Sequence, residues 1–505
     1  MIYEDFKKQV ENHPHSPALI YQKQTYSWST LLSLVDHLAD AFLQLGLKPG
    51  DKVAFYLTNC PEQIISYYAC FKMGLTIVPI NVRFKAAEVA KILVNCRPNV
   101  LISENKLFFP LNNIVASFNF LQHYFLVNKI DVDSIEHHLQ SLFDMKMMQL
   151  PCPNFSPRQT AIILYTSGTT GEPKGVVHEY CHLQNNIRNQ HALIKPTSRD
   201  KTLVVLSLCY TFGVLRQLLP AYAAGITVVL MKNFIASEAL ALIQQYQITL
   251  LYAVPTIYWR LVNEMKQLTG FSHSIRCCIA SGDAVPLALH QEFRALFGIE
   301  LCETIAQTET MMYAANPVNG PRKIGSLGLP VPNMQYTILD KTGQELAPDK
   351  LGEIGVRGNT LMQGYLNDPL LTAKAYINGW FRTGDLGVMD KEGWLWFRGR
   401  EKQLIIHNGL NISPQEVEAV LYQHPHVLEC AVTGLAHPVH GEIVAACIVA
   451  KDPTITDTQI LIDFVREHLA DYKVPEKIIF VESLPKGMTG KIARDKLVNL
   501  FFDSN

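Results

Sequence analysis

Residues 165–175, Tyr-Thr-Ser-Gly-Thr-Thr-Gly-Glu-Pro-Lys-Gly, carry the groups needed to hold phosphate. They follow the apolar run 161–164, a pattern that predicts a buried strand opening into a loop. Glycines let backbone N–H groups converge on anionic oxygens, the hydroxyls donate further hydrogen bonds, and Lys174 adds a positive charge. No Gly-Lys pair in the sequence is followed by Ser or Thr, so this is not a Walker loop. The chemistry indicated is the binding of a polyphosphate.

Further along the chain, charged residues supply what phosphate chemistry requires. Thr308 and Glu309 place a hydroxyl beside a carboxylate, a pair that can hold Mg²⁺ and contact a phosphate. Asp385 ends the hexad Trp-Phe-Arg-Thr-Gly-Asp, where a carboxylate after a glycine turn can accept both ribose hydroxyls. Arg400 lies in a charged stretch around a glycine that suits a hinge. Lys491 lies on a glycine-flanked loop, from which a cation can be delivered to a site and withdrawn.

Alternating helical and strand patterns must position these groups. This alternation over residues 25–104 and again over 160–303 predicts parallel sheets with crossover helices. Short strands with glycine-rich turns over 324–399 predict a β-rich subdomain, and a smaller α/β unit follows. The predicted elements are helices at 31–45, 61–73, 414–422 and 457–469, and strands at 52–57, 75–79, near 431 and at 445–449.

The fold class expected from these patterns is α/β. A large N-terminal domain of α/β subdomains plus a β-rich subdomain would span residues 1–402. A small, mobile C-terminal α+β domain would span residues 403–505. A chain of 505 residues is too long for one hydrophobic core, which agrees with this division.

Composition excludes several classes of protein. Hydrophobic residues make up 48% and charged residues 18%, which is typical of a globular chain. A formal net charge of −1 argues against nucleic acid or a membrane surface as partner. The apolar run 203–231 is divided by Arg216 and Gln217 into pieces too short to cross a bilayer, so no transmembrane segment is predicted. Eleven scattered cysteines and a start without a signal-peptide pattern favour a cytoplasmic protein.

Taken in this order, the motifs resemble those of the adenylate-forming enzymes, which include acyl-CoA synthetases, carrier-charging adenylation domains and luciferases. The resemblance extends from Tyr165 to Arg494, and the N-terminal pattern fits as well. It implies an acid–CoA ligase that uses ATP, Mg²⁺ and CoA. The acid's carboxylate would attack the α-phosphate of ATP, giving an acyl-adenylate and pyrophosphate, and the thiol of CoA would then displace AMP.

The resemblance also implies roles for single residues. Lys491, Glu309 and Thr166 would be catalytic, with Lys491 bridging the carboxylate and the α-phosphate. Glu309 and Thr170 would hold the metal, Gln403 would be the hinge between the domains, and Gly409 would let CoA pass close to the backbone. The expected nucleotide-binding residues are Thr166, Ser167, Gly168, Thr169, Thr170, Gly171, Lys174, Ile305, Thr308, Asp385, Arg400 and Lys491.

The region expected to bind the acid departs from the family pattern. The pair Ile305-Ala306 stands where the family has an aromatic residue and glycine, and Tyr210 stands where fatty-acid members have histidine. These features resemble the benzoate-type aryl-CoA ligases. A malonate-type ligase would need a cation near Thr304, which is neutral, so a monocarboxylic acid is expected, either aryl or a medium- to long-chain fatty acid. The expected lining of the acid pocket is Tyr210, Phe212, Gly282 and Ala306.

Two other functions stay open at this point. The enzyme could load a separate carrier protein instead of CoA, and a homodimer is compatible with the sequence. A degenerate relative that binds nucleotide without turnover is the other alternative, since Ile305, Ala306 and Tyr210 are atypical. Retention of Lys174 and Lys491 argues against it.

Overall fold

The structure is a computed structural model of the chain, and its described part leaves out several short segments. The described residues are 1–127, 138–149, 151–166, 173–400, 403–408, 410–452, 454, 457–487 and 491–502. Within them the strands form four sheets, of nine, seven, five and five strands.

The strands are numbered here in chain order. They are β1 (Pro17–Tyr21), β2 (Gln24–Ser27), β3 (Lys52–Tyr56), β4 (Thr76–Pro79), β5 (Val100–Ser103), β6 (His123–Leu126), β7 (Thr160–Thr166), β8 (Lys174–Glu179), β9 (Lys201–Val204), β10 (Thr227–Leu230), β11 (Leu250–Ala253), β12 (Cys277–Ser281), β13 (Leu301–Gln307), β14 (Met311–Ala315), β15 (Leu329–Pro330), β16 (Met334–Leu339), β17 (Gly352–Gly358), β18 (Gly364–Tyr365), β19 (Tyr376–Ile377), β20 (Trp380–Met389), β21 (Leu395–Arg400), β22 (Ile405–His407), β23 (Leu410–Ile412), β24 (Val427–His437), β25 (Gly441–Ala450) and β26 (Lys477–Phe480).

The helices are numbered in the same way. They are α1 (Ile2–Asn12), α2 (Trp28–Gln44), α3 (Pro61–Met73), α4 (Ala86–Cys96), α5 (Asn105–Phe108), α6 (Asn112–Val115), α7 (Gln140–Asp144), α8 (Tyr180–Ile194), α9 (Leu219–Ala223), α10 (Ala236–Tyr246), α11 (Pro255–Met265), α12 (Leu287–Phe297), α13 (Pro369–Lys374), α14 (Pro414–Leu421), α15 (Gln459–His468) and α16 (Leu497–Leu500). A π-helix covers Phe212–Leu218, and short 3₁₀ turns cover Phe109–Leu111, Asp471–Lys473 and Arg494–Lys496.

Two mixed sheets with a parallel centre form the larger part of the molecule. One has the order β15-β14-β13-β12-β11-β9-β10-β1-β2, and the other β18-β8-β7-β4-β3-β5-β6. The pairs β3–β4, β3–β5, β11–β12 and β12–β13 are parallel and are connected by helices, as the alternating sequence pattern predicts. The α/β fold class is therefore confirmed.

Helix α3 shows how local residues set these boundaries. Pro61 stands at its first turn, where the missing N–H costs nothing, and Gly74 follows its end with a φ of +69°. A side chain on Gly74 would also collide with the ring of Phe155. The helix begins and ends as the sequence predicts, which fixes the entry into β4.

Two smaller sheets follow in the chain. The first has the order β16-β17-β20-β19 with β21 beside β20, and forms the predicted β-rich subdomain. The second has the order β23-β22-β25-β24 with β26 beside β25. We call the elements from β22 to α16 the C-terminal unit, and those from α1 to β21 the large unit.

The C-terminal unit has its own hydrophobic core on both faces of its sheet. On one face Val417 of α14 and Val465 of α15 pack against the strands. On the other face Leu497 of α16 and Phe501, which follows that helix, pack against residues of β24 and β25. This small α+β arrangement agrees with the sequence prediction.

The apolar stretch 203–231 is buried inside the large unit. It contains the end of β9, the π-helix, α9 and β10. None of the helices in the described ranges is both long and apolar enough for a membrane span.

Candidate active site

The predicted phosphate loop connects the antiparallel strands β7 and β8. Thr166 at the end of β7 pairs in register with Lys174 at the start of β8. The hairpin therefore places both residues at one edge of the seven-stranded sheet. The predicted loop residues that lie outside the described part of the chain are Ser167, Gly168, Thr169, Thr170 and Gly171.

Tyr365 brings Lys174 and Glu309 into one cluster. The Lys174 Nζ lies 5.7 Å from the centre of the Tyr365 ring, and the Tyr365 hydroxyl donates to Glu309 Oε1 over 3.1 Å. Burial raises the pKa of Glu309, while the tyrosine hydroxyl, Arg400 and Lys174 oppose this rise by favouring the ionised carboxylate. Among the described residues Glu309 forms no ion pair, so its carboxylate can still accept a cation.

The turn that carries Thr308 and Glu309 joins β13 to β14 and is held from behind by His178. The Nε2 of this buried histidine donates to the Thr308 carbonyl over 2.7 Å. Burial lowers the pKa of His178 to about 3, so the ring is neutral at ordinary pH. The Thr308 hydroxyl lies 3.1 Å from that of Thr211. The turn leads into Met311, which has a φ of +54°, an unusual conformation for a buried non-glycine residue.

The predicted ribose residue Asp385 lies in the middle of β20, where Arg400 of β21 is its register partner. The Nε of Arg400 lies 2.9 Å from Asp385 Oδ1. The Gln307 side chain donates to Asp385 Oδ2 over 2.7 Å. Burial raises the pKa of Asp385, and Arg400, Gln307 and Lys491 counteract that rise. Sequence reasoning did not assign a role to Gln307, although it lies inside the motif that ends at Glu309.

Lys491 reaches from the C-terminal unit into the large unit. Its Cε lies 3.3 Å from the position that a Cβ on Gly282 would occupy, and Gly282 has a φ of +96°. The positive φ favours glycine at this position, and a side chain here would also press against the end of Lys491. Burial and the neighbouring Arg400 lower the pKa of Lys491, while Asp283 and Asp385 raise it. Arg83 of the large unit donates to the Gly487 carbonyl over 3.3 Å, next to the same loop.

Of the residues predicted to surround the acid, Gly282 lies next to Lys491. Phe212 opens the π-helix with its ring 6.4 Å from that of Tyr252. The pairing of β13 with β14 shifts by one residue between Ile305 and Ala306, which bends the strand here. Tyr210 precedes the π-helix and is half-buried. Its pKa is raised by burial, so its hydroxyl stays protonated.

Arg216 is a charged residue of this region that sequence reasoning missed. Its side chain is only 2% exposed, and its guanidinium carbon lies 4.7 Å from the centre of the Phe212 ring. The sequence shows an arginine in an apolar run, a signal that was interpreted only as an interruption of a membrane span. The structure places it next to Phe212, one of the residues expected to line the acid pocket.

The hinge and CoA positions are less defined by contacts. The Gln415 amide lies 3.5 Å from the Gln403 side-chain oxygen, a long polar contact. Gly409 lies outside the described residues. Their predicted roles stay predictions.

Lys174 and Glu309 share Tyr365 as a neighbour, and Asp385 interacts electrostatically with Lys491 of the C-terminal unit. Residues 6–366 match the AMP-binding enzyme family, and residues 416–491 match the AMP-binding enzyme C-terminal domain. The chain therefore belongs to the AMP-binding enzyme family.

Similar proteins narrow the activity. An indoleacetate–CoA ligase from Aromatoleum aromaticum is 32% identical over 490 residues, covering 96% of this chain and 95% of the relative. A 2-succinylbenzoate–CoA ligase from Bacillus licheniformis is 31% identical, covering 97% and 98%. A solved anthranilate CoA ligase in complex with anthranoyl-AMP, AuaEII, superposes with a TM-score of 0.91 at 26% identity, covering 100% and 98%.

These matches confirm the predicted class of enzyme. The chain is an AMP-forming acid–CoA ligase, which takes a small carboxylic acid, ATP and CoA as substrates. The roles of single residues and the identity of the acid are not settled by likeness.

Proposed function

We propose that the cleft between the large unit and the C-terminal unit joins an organic acid to CoA through an acyl-adenylate, with the residues above in the roles that follow. The observation that carries this proposal is the position of Lys491. Its side chain lies against Gly282 and interacts electrostatically with Asp283 and Asp385, all three in the large unit. A cation of one unit thus completes a site built by the other.

Thr166, Lys174 and Glu309 would bind the triphosphate end of ATP. Lys174 and Glu309 share Tyr365 as a neighbour, so a phosphate oxygen and its Mg²⁺ can meet opposite charges side by side. Glu309 fits a magnesium ligand because its carboxylate has only a neutral hydroxyl as side-chain partner among the described residues. When bound, Mg²⁺ would screen the phosphate charge. Thr170, the second proposed ligand, lies in the undescribed loop.

Asp385 would accept the ribose hydroxyls, oriented by Gln307 and Arg400. Gln307 contacts one oxygen of this carboxylate and Arg400 the other, and both residues favour its ionised form. Arg400 is half-exposed, so its guanidinium can also face the nucleotide. Ile305 and Thr308, which lie on the strand and turn beside Gln307, would contact the nucleoside.

Lys491 would stabilise the charge that develops in adenylation. The acid's carboxylate oxygen bonds to the α-phosphorus of ATP while the bond to pyrophosphate breaks, and the lysine ammonium neutralises the crowded oxygens. In the second step the CoA sulfur attacks the acyl carbon, its proton is lost, and AMP leaves. Lysine is no longer needed at the phosphorus at that stage, which suits a residue on a separate unit.

The division of the chain at residues 402 and 403, with Gln403 as pivot and Gly409 beside the thiol, belongs to the same proposal. Its support is that the C-terminal unit has separate hydrophobic clusters. Among the described residues, the side chain of Gln403 has a polar neighbour in the Gln415 amide at 3.5 Å. CoA is the favoured acceptor because the named relatives are CoA ligases. A carrier protein as acceptor, a homodimer and a cytoplasmic location stay secondary proposals.

The test is release of pyrophosphate from Mg-ATP with a panel of aryl, aliphatic and amino acids, each with and without CoA. Turnover that rises on adding CoA for one class of acid would establish the ligase and its substrate class. A burst near one equivalent that CoA does not extend would favour a carrier protein. Absence of release with every acid would contradict the proposed function.

A further inference from the structure

The guanidinium of Arg216 is enclosed by neutral groups. Its Nη1 donates to the Ser281 hydroxyl over 2.8 Å, and its Nη2 donates to the Thr304 hydroxyl over 2.6 Å. The same Nη2 lies 3.4 Å from the Met312 sulfur. The Nε is buried and has no hydrogen-bond partner. These contacts join three segments that are distant in the chain: the π-helix, the end of β12 and the β13–β14 hairpin.

Arg216 keeps its charge in these surroundings. Burial lowers its pKa only to about 10, so the guanidinium is protonated at neutral pH. Within the described ranges no carboxylate forms an ion pair with it, whereas the largely buried Arg494 pairs with Glu418. A buried charge without a counter-charge is costly, and hydroxyl and thioether groups compensate it poorly.

The position of this cation relates it to the acid pocket. Ser281, which accepts from Nη1, directly precedes Gly282, the residue that Lys491 contacts. Thr304, which accepts from Nη2, precedes the bent pair Ile305-Ala306. The guanidinium therefore bonds to residues that adjoin Gly282 and Ala306, both predicted to line the acid pocket, and lies 4.7 Å from the ring centre of a third such residue, Phe212.

A purely structural role would not require arginine at this position. Ser281 already donates to the Thr304 carbonyl over 2.7 Å, so the two strands are linked without the guanidinium. An apolar side chain of the same length would fill the space with no cost of burying a charge. An anionic group of a bound substrate would supply the missing counter-charge, because a guanidinium binds carboxylate and sulfonate oxygens through two parallel N–H bonds.

We propose that Arg216 binds a second acidic group of the substrate, so that the acid is a dianion with one carboxylate activated near Lys491 and a second carboxylate or a sulfonate held at Arg216. The inference rests on the proposed function, since it names the substrate class of that same site. The neutral Thr304 led to the expectation of a monocarboxylic acid. The cation that Thr304 lacks is supplied by Arg216, bonded to its hydroxyl.

The experiment compares acids in pairs that share a skeleton and differ in one acidic group: glutarate with pentanoate, adipate with hexanoate, terephthalate with 4-methylbenzoate, and 3-sulfopropanoate with butanoate. Pyrophosphate release with CoA is measured for the wild type, Arg216→Met and Arg216→Lys. The wild type should prefer the dianion in at least one pair. Arg216→Met should lower kcat/KM for that dianion at least about thirtyfold, mainly through KM, and leave the matched monoanion unchanged or improved. Arg216→Lys should recover part of the loss.

Arg260→Met is the matched control. Arg260 is exposed on α11, and its guanidinium lies 4.9 Å from the centre of the Phe234 ring. The substitution therefore removes the same type of side chain and a similar ring contact at a different place in the molecule. It should leave both members of each pair unchanged. Where Arg216→Met proves insoluble, Arg216→Gln replaces it, because it retains hydrogen bonding and loses only the charge.

Preference for the monoanion in every pair, or equal losses on both members in Arg216→Met, would overturn the inference while the ligase stands. If no acid supports turnover, the proposed function fails. The role of Arg216 is then tested separately, by measuring whether the dianions bind. Calorimetric titration of the dianions should then show binding to the wild type that Arg216→Met abolishes. Absence of binding to the wild type would overturn the role of Arg216.

Discussion

Two buried arginines, Arg494 of the C-terminal unit and Arg216 of the large unit, occupy opposite electrostatic surroundings. Arg494 grips the Glu418 carboxylate with both terminal nitrogens, one of them at 2.8 Å, and also donates to the Val432 carbonyl over 2.9 Å. Arg216 meets two hydroxyls and a sulfur. Their side chains are 13% and 2% exposed, so burial alone does not distinguish them.

The difference lies in where the counter-charge comes from. Burial alone would lower the pKa of Arg494, but Glu418 raises it above the usual arginine value. Burial lowers the pKa of Arg216, and no carboxylate among the residues that the structure describes restores it. An arginine whose counter-charge is part of the fold serves the scaffold, whereas one without it is available to a ligand. Arg494 accordingly holds the base of the loop that carries Lys491.

The strongest test of the scaffold half of this comparison is Glu418→Ala. It leaves the Arg494 charge buried without its partner, so we expect the C-terminal unit to lose about 3–5 kcal/mol of its free energy of unfolding. Denaturant unfolding of the full chain, followed by a probe in the C-terminal unit, measures this loss. Adenylation should fall as well, because the lysine loop loses its anchor.

Glu429→Ala is the control for that change. Its carboxylate pairs with Lys486 at 2.8 Å on the surface of the same unit, where both side chains are partly exposed. The expected loss is below about 1 kcal/mol. Equal losses in the two variants would show that the buried pair is not the scaffold that its contacts indicate.

Lys491 is intermediate between Arg494 and Arg216, since the carboxylates that favour its charge, Asp283 and Asp385, belong to the other unit. Lys491→Ala should reduce pyrophosphate release about a hundredfold to a thousandfold, the effect typical of losing one group that stabilises transition-state charge. Thioester formation from a supplied acyl-adenylate should change by no more than about a few-fold, because charge at the phosphorus no longer develops. Lys486→Ala, a change on the same loop, should leave both steps intact. Equal loss of both half-reactions would contradict the proposed role.

His178 extends the comparison to a buried group that avoids charge. Its folded-state pKa of about 3 lies below the value of about 6.5 in the unfolded chain, so unfolding takes up a proton below that value. Stability from the neutral ring is complete above pH 6.5 and is lost as the pH falls toward 3. Between about pH 7 and about pH 5 we expect the free energy of unfolding to fall by about 2 kcal/mol from this residue alone.

The matched variant for this pH effect is His178→Gln. Its amide can still donate to the Thr308 carbonyl, but it does not titrate. Unfolding measured at both pH values should show a smaller acid loss in the variant than in the wild type. An identical loss in both would show that titration of His178 does not cause the loss of stability at acid pH.

Local signals in the sequence predicted the elements better than the site. Helix α3 is predicted to the residue because Pro61 and Gly74 punctuate it, and Asp385 and Lys491 are found because they end recognisable motifs. The surroundings of Arg216 depend on contacts among three distant segments, which no local pattern encodes.

The smallest expected effect is the most informative about Arg216. Without bound acid, Arg216→Met removes a costly buried charge and restores an apolar contact with Phe212, so the free energy of unfolding should stay within about 1 kcal/mol of the wild type or rise. Arg494→Met, which strands Glu418, should instead lose about 3–5 kcal/mol. Denaturant unfolding of both variants measures the contrast. An equal loss of the free energy of unfolding in Arg216→Met and Arg494→Met would show that the fold requires the hydroxyl contacts of Arg216. Both arginines would then serve the stability of the fold.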